Sequence, residues 1–99
     1  MLTINKTVEN GKAILEMQGR LDTVTAPQAE SAVKEILPGL TDLTLDLEKL
    51  EYISSAGLRV LLSAQKIMNA QGKMKLRTVN GTIMEIFEVT GFTDILDIE

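Results

Sequence analysis

Residues 43–62 read Leu43-Thr44-Leu45-Asp46-Leu47-Glu48-Lys49-Leu50-Glu51-Tyr52-Ile53-Ser54-Ser55-Ala56-Gly57-Leu58-Arg59-Val60-Leu61-Leu62. The first five alternate apolar and polar, the period of a strand with one buried face. Past Gly57 the period changes. Leu58, Leu61, Leu62 and Met68 recur at helical spacing, flanked by Val60, Ala64 and Ile67, while Arg59, Ser63 and Lys66 take the wet side. A strand over Leu43 to Leu47 therefore leads through a tight passage, Glu51 to Gly57, into a helix that runs to about Asn69 and is ended by Gly72.

The pattern repeats on either side. Leu2, Ile4 and Val8 lie on one face of a first strand, with Lys6 interrupting. Asn10-Gly11 is a hairpin turn signal, and Lys12 to Gln18 is a second strand with Ala13, Leu15 and Met17 inward. These two pair antiparallel. After Gly19-Arg20-Leu21-Asp22, Thr25-Ala26-Pro27-Gln28 fits a capping box with Pro in the first turn. Ala29, Ala32, Val33, Ile36 and Leu37 continue the helix to Pro38-Gly39. Lys73 to Val79 is a further strand with Met74 and Leu76 inward and Lys73, Lys75 and Arg77 outward. Asn80 caps a third helix carrying Ile83, Ile86 and Phe87, which Gly91 ends, and Ile95 to Ile98 is expected as a short last strand. The order β-β-α-β-α-β-α-β predicts a single α/β domain over residues 1–99, a mixed sheet with packed helices and locally parallel strands.

Composition narrows the function. The chain has 99 residues, 10 Lys plus Arg against 14 Asp plus Glu, a net charge of −4, and neither His nor Cys. One core is all that length supports. The missing side chains exclude a Ser-His-Asp triad, a Cys nucleophile, a zinc finger and a disulfide. The acidic balance argues against general nucleic-acid affinity. No signal peptide or bilayer-length apolar run is present, so a cytoplasmic protein is expected, with no membrane, cofactor or metal. Asp94, Asp97 and Glu99 lack the offsets and central Gly of a calcium loop. Ser63-Ala64-Gln65-Lys66 matches a Ser-x-x-Lys motif but lies mid-helix without its companions. The five Met residues are gap-filling core.

The informative place is the helix start. Ser is a favoured N-cap, and Gly57 permits close helix–sheet contact. The same geometry exposes a Ser beside unpaired N–H groups at the carboxyl ends of parallel strands, where a phosphate is tolerated. Capping and a phosphorylation switch are compatible. Asp22 is either turn chemistry or part of a contact surface. Asp46 is read as local structure, and Arg59 as either a solvated helix residue or a contact.

At this point the sequence resembles the STAS domain of bacterial anti-sigma factor antagonists. Leu45-Asp46-Leu47, Leu50 and Tyr52 through Leu62 carry the likeness. Gly19-Arg20-Leu21-Asp22 is similar to the family's Gly-x-Leu/Ile-Asp turn, Gly72-Lys73-Met74 precedes the late strand as expected, and Ile86 to Phe92 resembles the closing helix and its Gly. The resemblance implies a binding protein rather than an enzyme. Its partner is an anti-sigma factor of the Ser/Thr kinase type, whose capture frees a sigma factor. Phosphorylation of one Ser breaks the complex, and a PP2C-type phosphatase restores it. The modified Ser lies two before the motif's Gly, which implies Ser55, with Ser54 as second choice. The implied partner surface is Asp22, Ser54, Ser55, Ala56, Gly57, Leu58 and Arg59, on a protein that is a monomer when alone. The chain departs from the sporulation-type pattern in three ways. Ser54 stands at an acidic position, Arg59 at a small one, and the sequence ends at Glu99 without a further C-terminal helix. The alternative is a STAS adaptor or scaffold for another regulatory or transport partner, working without phosphorylation. A hydrolase with Ser55 as nucleophile lacks a His base.

Overall fold

Asn10 and Gly11, with φ of 50° and 77°, make the two-residue turn whose twist suits a hairpin. It folds β1 (Leu2–Glu9) antiparallel onto β2 (Lys12–Leu21) in a computed structural model that describes residues 1–99. There follow α1 (Ala26–Ile36), β3 (Asp42–Ile53), α2 (Ser55–Gln71), β4 (Lys73–Arg77) and α3 (Gly81–Thr90). The sheet order is β1-β2-β3-β4, with β2, β3 and β4 mutually parallel. Both parallel crossovers step the same way across the sheet. Connections of one hand therefore set α1 and α2 on one face.

Register explains the core. Ala13, Leu43 and Met74 stand in one row across three strands, and Leu15, Leu45 and Leu76 in the next. All six are buried against Ala29 and Val33 of α1, Leu61 and Met68 of α2, and Ile83 and Phe87 of α3. Each such leucine contributes about 1.5–3 kcal/mol by leaving water. The alternate rows lie on the other face, and two of them are ionic. Asp42 meets Lys73 at 3.8 Å, and Asp46 meets Arg77 at 3.0 Å. The basic stripe of β4 is thus one side of a charge ladder. On β1, Leu2 is buried and Ile4 partly so, but Val8 is 54% exposed. Between them Lys6 reaches Glu35 of α1 at 3.2 Å.

Four expectations are corrected. The β3 strand does not stop at Leu47 but runs to Ile53. Its register against β2 slips by one residue between Asp46 and Lys49 and again between Leu50 and Tyr52. These two bulges reset the alternation, so Leu47, Leu50 and Ile53 all face the core at a spacing of three. Second, the expected last strand is reduced to a single bridge between Leu76 and Ile98. Ile95 and Leu96 donate back to Phe92 O at 3.0 and 2.9 Å, and Ile95 has helical backbone angles. A 3₁₀ turn over Phe92–Asp94 thus takes up the residues the strand needed, although Leu96 is buried.

Third, α1 starts without a capping box. Thr25 Oγ1 donates to Arg20 O at 2.8 Å, and Gln28 Nε2 donates to Leu2 O at 3.0 Å, tying the helix to β1 and β2 instead. Fourth, β4 stops at Arg77 rather than Val79, where Thr78 turns to a φ of 54°; α2 runs to Gln71 and is ended by Gly72 as expected. Gln71 Nε2 donates to Leu37 O and Leu40 O, both at 2.6 Å, and Gly72 is needed there because a Cβ would lie 2.0 Å from Thr41 O.

Asn80 ties α3 to the first bulge. Its Oδ1 accepts from Ile83 N at 3.0 Å, capping α3. Its Nδ2 donates to Leu47 O, Glu48 O and Leu50 O, the last at 2.7 Å. Asn80→Ala is expected to destabilise the fold by about 1–3 kcal/mol, from a lost cap and unsatisfied carbonyls. A domain of this size loses about 4–8 °C of Tm per kcal/mol. An unchanged melt would show that the bulge carbonyls find water without cost.

Candidate functional site

The site lies where β2 and β3, side by side and parallel, reach their carboxyl ends. Backbone Ser54 N donates to Leu21 O at 2.9 Å and joins the two exits. Ser54 is extended, with ψ at 176°, and its Oγ accepts from Gly57 N at 3.4 Å, a long N-cap bond. Leu58 N donates to Ser54 O at 2.9 Å and begins the helix. A Cβ on Gly57 would lie 2.7 Å from Leu21 Cγ, 2.8 Å from Ile53 Cγ1 and 2.9 Å from Leu21 O. Only a glycine lets α2 start this close to the sheet.

Asp22 closes the neighbouring exit as an Asx turn. Its Oδ1 accepts from Val24 N and Thr25 N, both at 3.0 Å, and lies 3.2 Å from Thr25 Oγ1. The bond from Thr25 N, helped by Thr25 Oγ1 and Val24 N, outweighs desolvation and holds the carboxyl below its ordinary 3.8. Arg20 Nε approaches Asp22 Oδ2 at 3.8 Å, and its guanidinium lies 4.5 Å above the Tyr52 ring. Arg20 and Tyr52 are cross-strand partners in register.

The residues singled out in the sequence thus separate by depth. Ser55 is exposed in the first turn of α2, and Arg59 is exposed one turn further on. Asp22, Ser54 and Ala56 are half-buried. Gly57 and Leu58 are buried: they set the shape of the surface and belong to the core. Asp46 lies on the outer face of the sheet, where Oδ2 accepts from Arg77 Nε and Oδ1 from Glu48 N at 3.1 Å, bracing the first bulge. Sequence reasoning did not single out the Arg20–Tyr52 pair or Val24, which is 86% exposed beside Asp22. An apolar residue just after the Gly-x-Leu-Asp turn, where helix packing does not call for one, was the available signal for Val24. A shallow groove of about 290 Å³ runs between α1 and α2, lined among others by Thr23, Pro27, Glu30, Arg59 and Ser63. No three His, Cys, Asp or Glu residues gather to hold a metal ion, and no helix is long and apolar enough to cross a membrane.

The fold and this helix start beside an Asx turn define a four-stranded α/β domain with a serine-bearing rim. The chain belongs to the STAS domain family, whose profile matches residues 3–99. BtrV of Bordetella bronchiseptica, an anti-sigma factor antagonist by name, is 36% identical over 99 residues, covering 98% of this chain and 84% of that protein. Among solved structures, an anti-sigma factor antagonist from Mycobacterium paratuberculosis superposes with a TM-score of 0.89 at 21% identity, over 99% of this chain and 85% of that one. The Bacillus cell fate determinant SpoIIAA in its phosphorylated form gives 0.74 at 17% identity, over 100% and 91%. At those identities the two structures establish the fold.

Two outcomes follow from the site's geometry. Gly57→Ala gains up to about 1 kcal/mol of helix propensity but must displace Leu21 O, which Ser54 N needs. A net loss of about 1–2 kcal/mol is expected, with faster amide exchange at Ser54; a stabilised variant would contradict the close approach. Asp22 has a lowered folded-state value, so its contribution is complete above the unfolded value near pH 4 and is lost as pH falls through the lower folded value. Asp22→Asn is therefore expected to be less stable than wild type at neutral pH and to converge with it as acidification carries the pH below the lowered Asp22 value. A stability difference that stays constant with pH would refute a role for the charge.

Proposed function

We propose that the chain is an anti-sigma factor antagonist, a regulatory binding protein rather than an enzyme. It works in the cytoplasm as a monomer until it meets its partner. The partner is an anti-sigma factor of the Ser/Thr kinase type, held by the rim that carries Asp22, Ser54, Ser55, Ala56 and Arg59. Binding releases a sigma factor. Phosphorylation of Ser55 by the same kinase ends the complex, and a PP2C-type phosphatase restores the acceptor.

One observation carries the choice of Ser55. Of two adjacent serines, Ser54 is half-buried and spends its oxygen on capping Gly57 N, whereas Ser55 is exposed in the first helical turn. A kinase can reach Ser55 without dismantling the cap. The names of the similar proteins support the partner class, and phosphorylated SpoIIAA supports the modification as compatible with such a fold. Phosphate adds about −1.5 to −2 charges at neutral pH. Weakening a complex 1,000-fold takes about 4 kcal/mol, which an anion desolvated or opposed in an interface supplies.

The test is intact mass and fragmentation after incubation with ATP and candidate anti-sigma kinases, paired with binding measurements. A single gain of about 80 Da, one phosphoryl group, is expected on Ser55. Ser55→Ala should bind the kinase and resist modification, and Ser55→Asp should bind it poorly. Equal affinity of Ser55→Asp and wild type would overturn the switch. A gain on Ser54 alone would move the acceptor.

A further inference from the structure

Ser55 and Arg59 are four residues apart on α2, and both are exposed. Residues at this spacing stand one above the other on a helix, with Cβ atoms about 5–6 Å apart. The six ion pairs of the chain engage Lys6, Arg20, Lys34, Lys73, Lys75 and Arg77. Arg59 is in none of them. Arg20, the other arginine at this end, is already held by Asp22 and the Tyr52 ring.

From this spacing we infer that a phosphate on Ser55 is captured by Arg59 of the same helix, forming an intrahelical ion pair; the inference rests on Ser55 as the acceptor. The order of the charges is the favourable one, with the anion N-terminal to the cation. A guanidinium offers a planar fork of donors that matches phosphate oxygens. The capture has a consequence for the switch. In the unmodified protein Arg59 presents a free cation at the mouth of the α1–α2 groove, where it suits an acidic group on a partner. In the modified protein the phosphate occupies that cation, so one covalent event adds a negative charge to the rim and withdraws a positive one.

Ser54 provides an internal control. Four residues beyond it stands Leu58, which is buried, so a phosphate there has no cation at that spacing. The remaining charges nearby are Asp22 and Arg20 in the adjoining turn, and Glu30 across the groove, itself bonded to Lys34 at 2.7 Å. All are common to wild type and variants, as are the N–H groups of the first turn, so a comparison isolates Arg59.

The experiment installs phosphoserine at position 55 during translation and needs neither kinase nor partner. The phosphate is titrated by ³¹P NMR in wild type, Arg59→Gln and Arg59→Lys. Its second ionisation, ordinarily near pH 6, is expected to fall lower in wild type than in Arg59→Gln by about 0.3 or more. Arg59→Lys, which keeps the charge, should retain most of the lowering. With phosphoserine at position 54, Arg59→Gln should leave the titration unchanged. Identical titrations of the Ser55 phosphate in wild type and Arg59→Gln would overturn the pairing. So would an equal Arg59 dependence at position 54, which would show a general field rather than a pair. A chain in which kinases ignore Ser55 would defeat the proposed switch yet leave this measurement intact, so the two failures can be told apart.

Discussion

The bond from Ser54 N to Leu21 O, at 2.9 Å, is the constraint on which this end of the molecule depends. It fixes the exit of β3 to the exit of β2 and thereby fixes where α2 begins. Gly57 is the condition for it, since any Cβ there would press on Leu21 O and Leu21 Cγ. With that seam closed, Asp22 and its Asx turn sit beside the α2 start. Arg20 comes over Tyr52, and Ser55 is left exposed in the first turn of α2. Side chains held by strand ends and a helix start are positioned more precisely than side chains carried on a loop.

The bulged strand β3 is the second determinant. Two single-residue insertions let five apolar side chains, Leu43, Leu45, Leu47, Leu50 and Ile53, all enter one core. Each insertion leaves backbone groups that the sheet ladder no longer satisfies. Asp46 Oδ1 takes the Glu48 N–H, and Asn80 Nδ2 serves the carbonyls of Leu47, Glu48 and Leu50. Polar residues far apart in sequence thus support an irregularity that carries Tyr52 and Ser54 to the right level beside β2.

Much of this was legible in the sequence, and the boundary between read and unread is physical. Periodicity alone placed Leu15, Leu45, Leu61 and Phe87 inside, and local cap chemistry identified Asn80 correctly and put a serine cap at Ser54-Ser55 without choosing between the two. Local chemistry misled at Thr25, because Arg20 O lies within reach only once β2 and α1 are packed. The extent of β3 was hidden because a bulge breaks the alternation that marks a strand. Ile95 to Ile98 looked extended because no local pattern signals that Ile95 N and Leu96 N fold back onto Phe92 O. The Arg20–Tyr52 contact follows from a register across two strands joined by a helix, which nearest-neighbour patterns do not encode. In the site, Leu58 already belonged to the apolar stripe of α2; its place in a contact surface came from motif resemblance, and its burial follows the periodicity.

The uncovered face of the sheet has a consequence of its own. Asp42 with Lys73, Asp46 with Arg77, and Lys75 with Glu99 spread charge of both signs across β3 and β4. Covering that face with another protein would strip water from six ions, and the penalty for burying an ion is several kcal/mol even after relaxation. Hydration therefore opposes burial of these positions on β3 and β4, while the helices cover the opposite side of the sheet. The end where the parallel strands hand over to their helices carries no such ladder: Ser55 and Arg59 are exposed there, and Arg59 has no ion pair to give up.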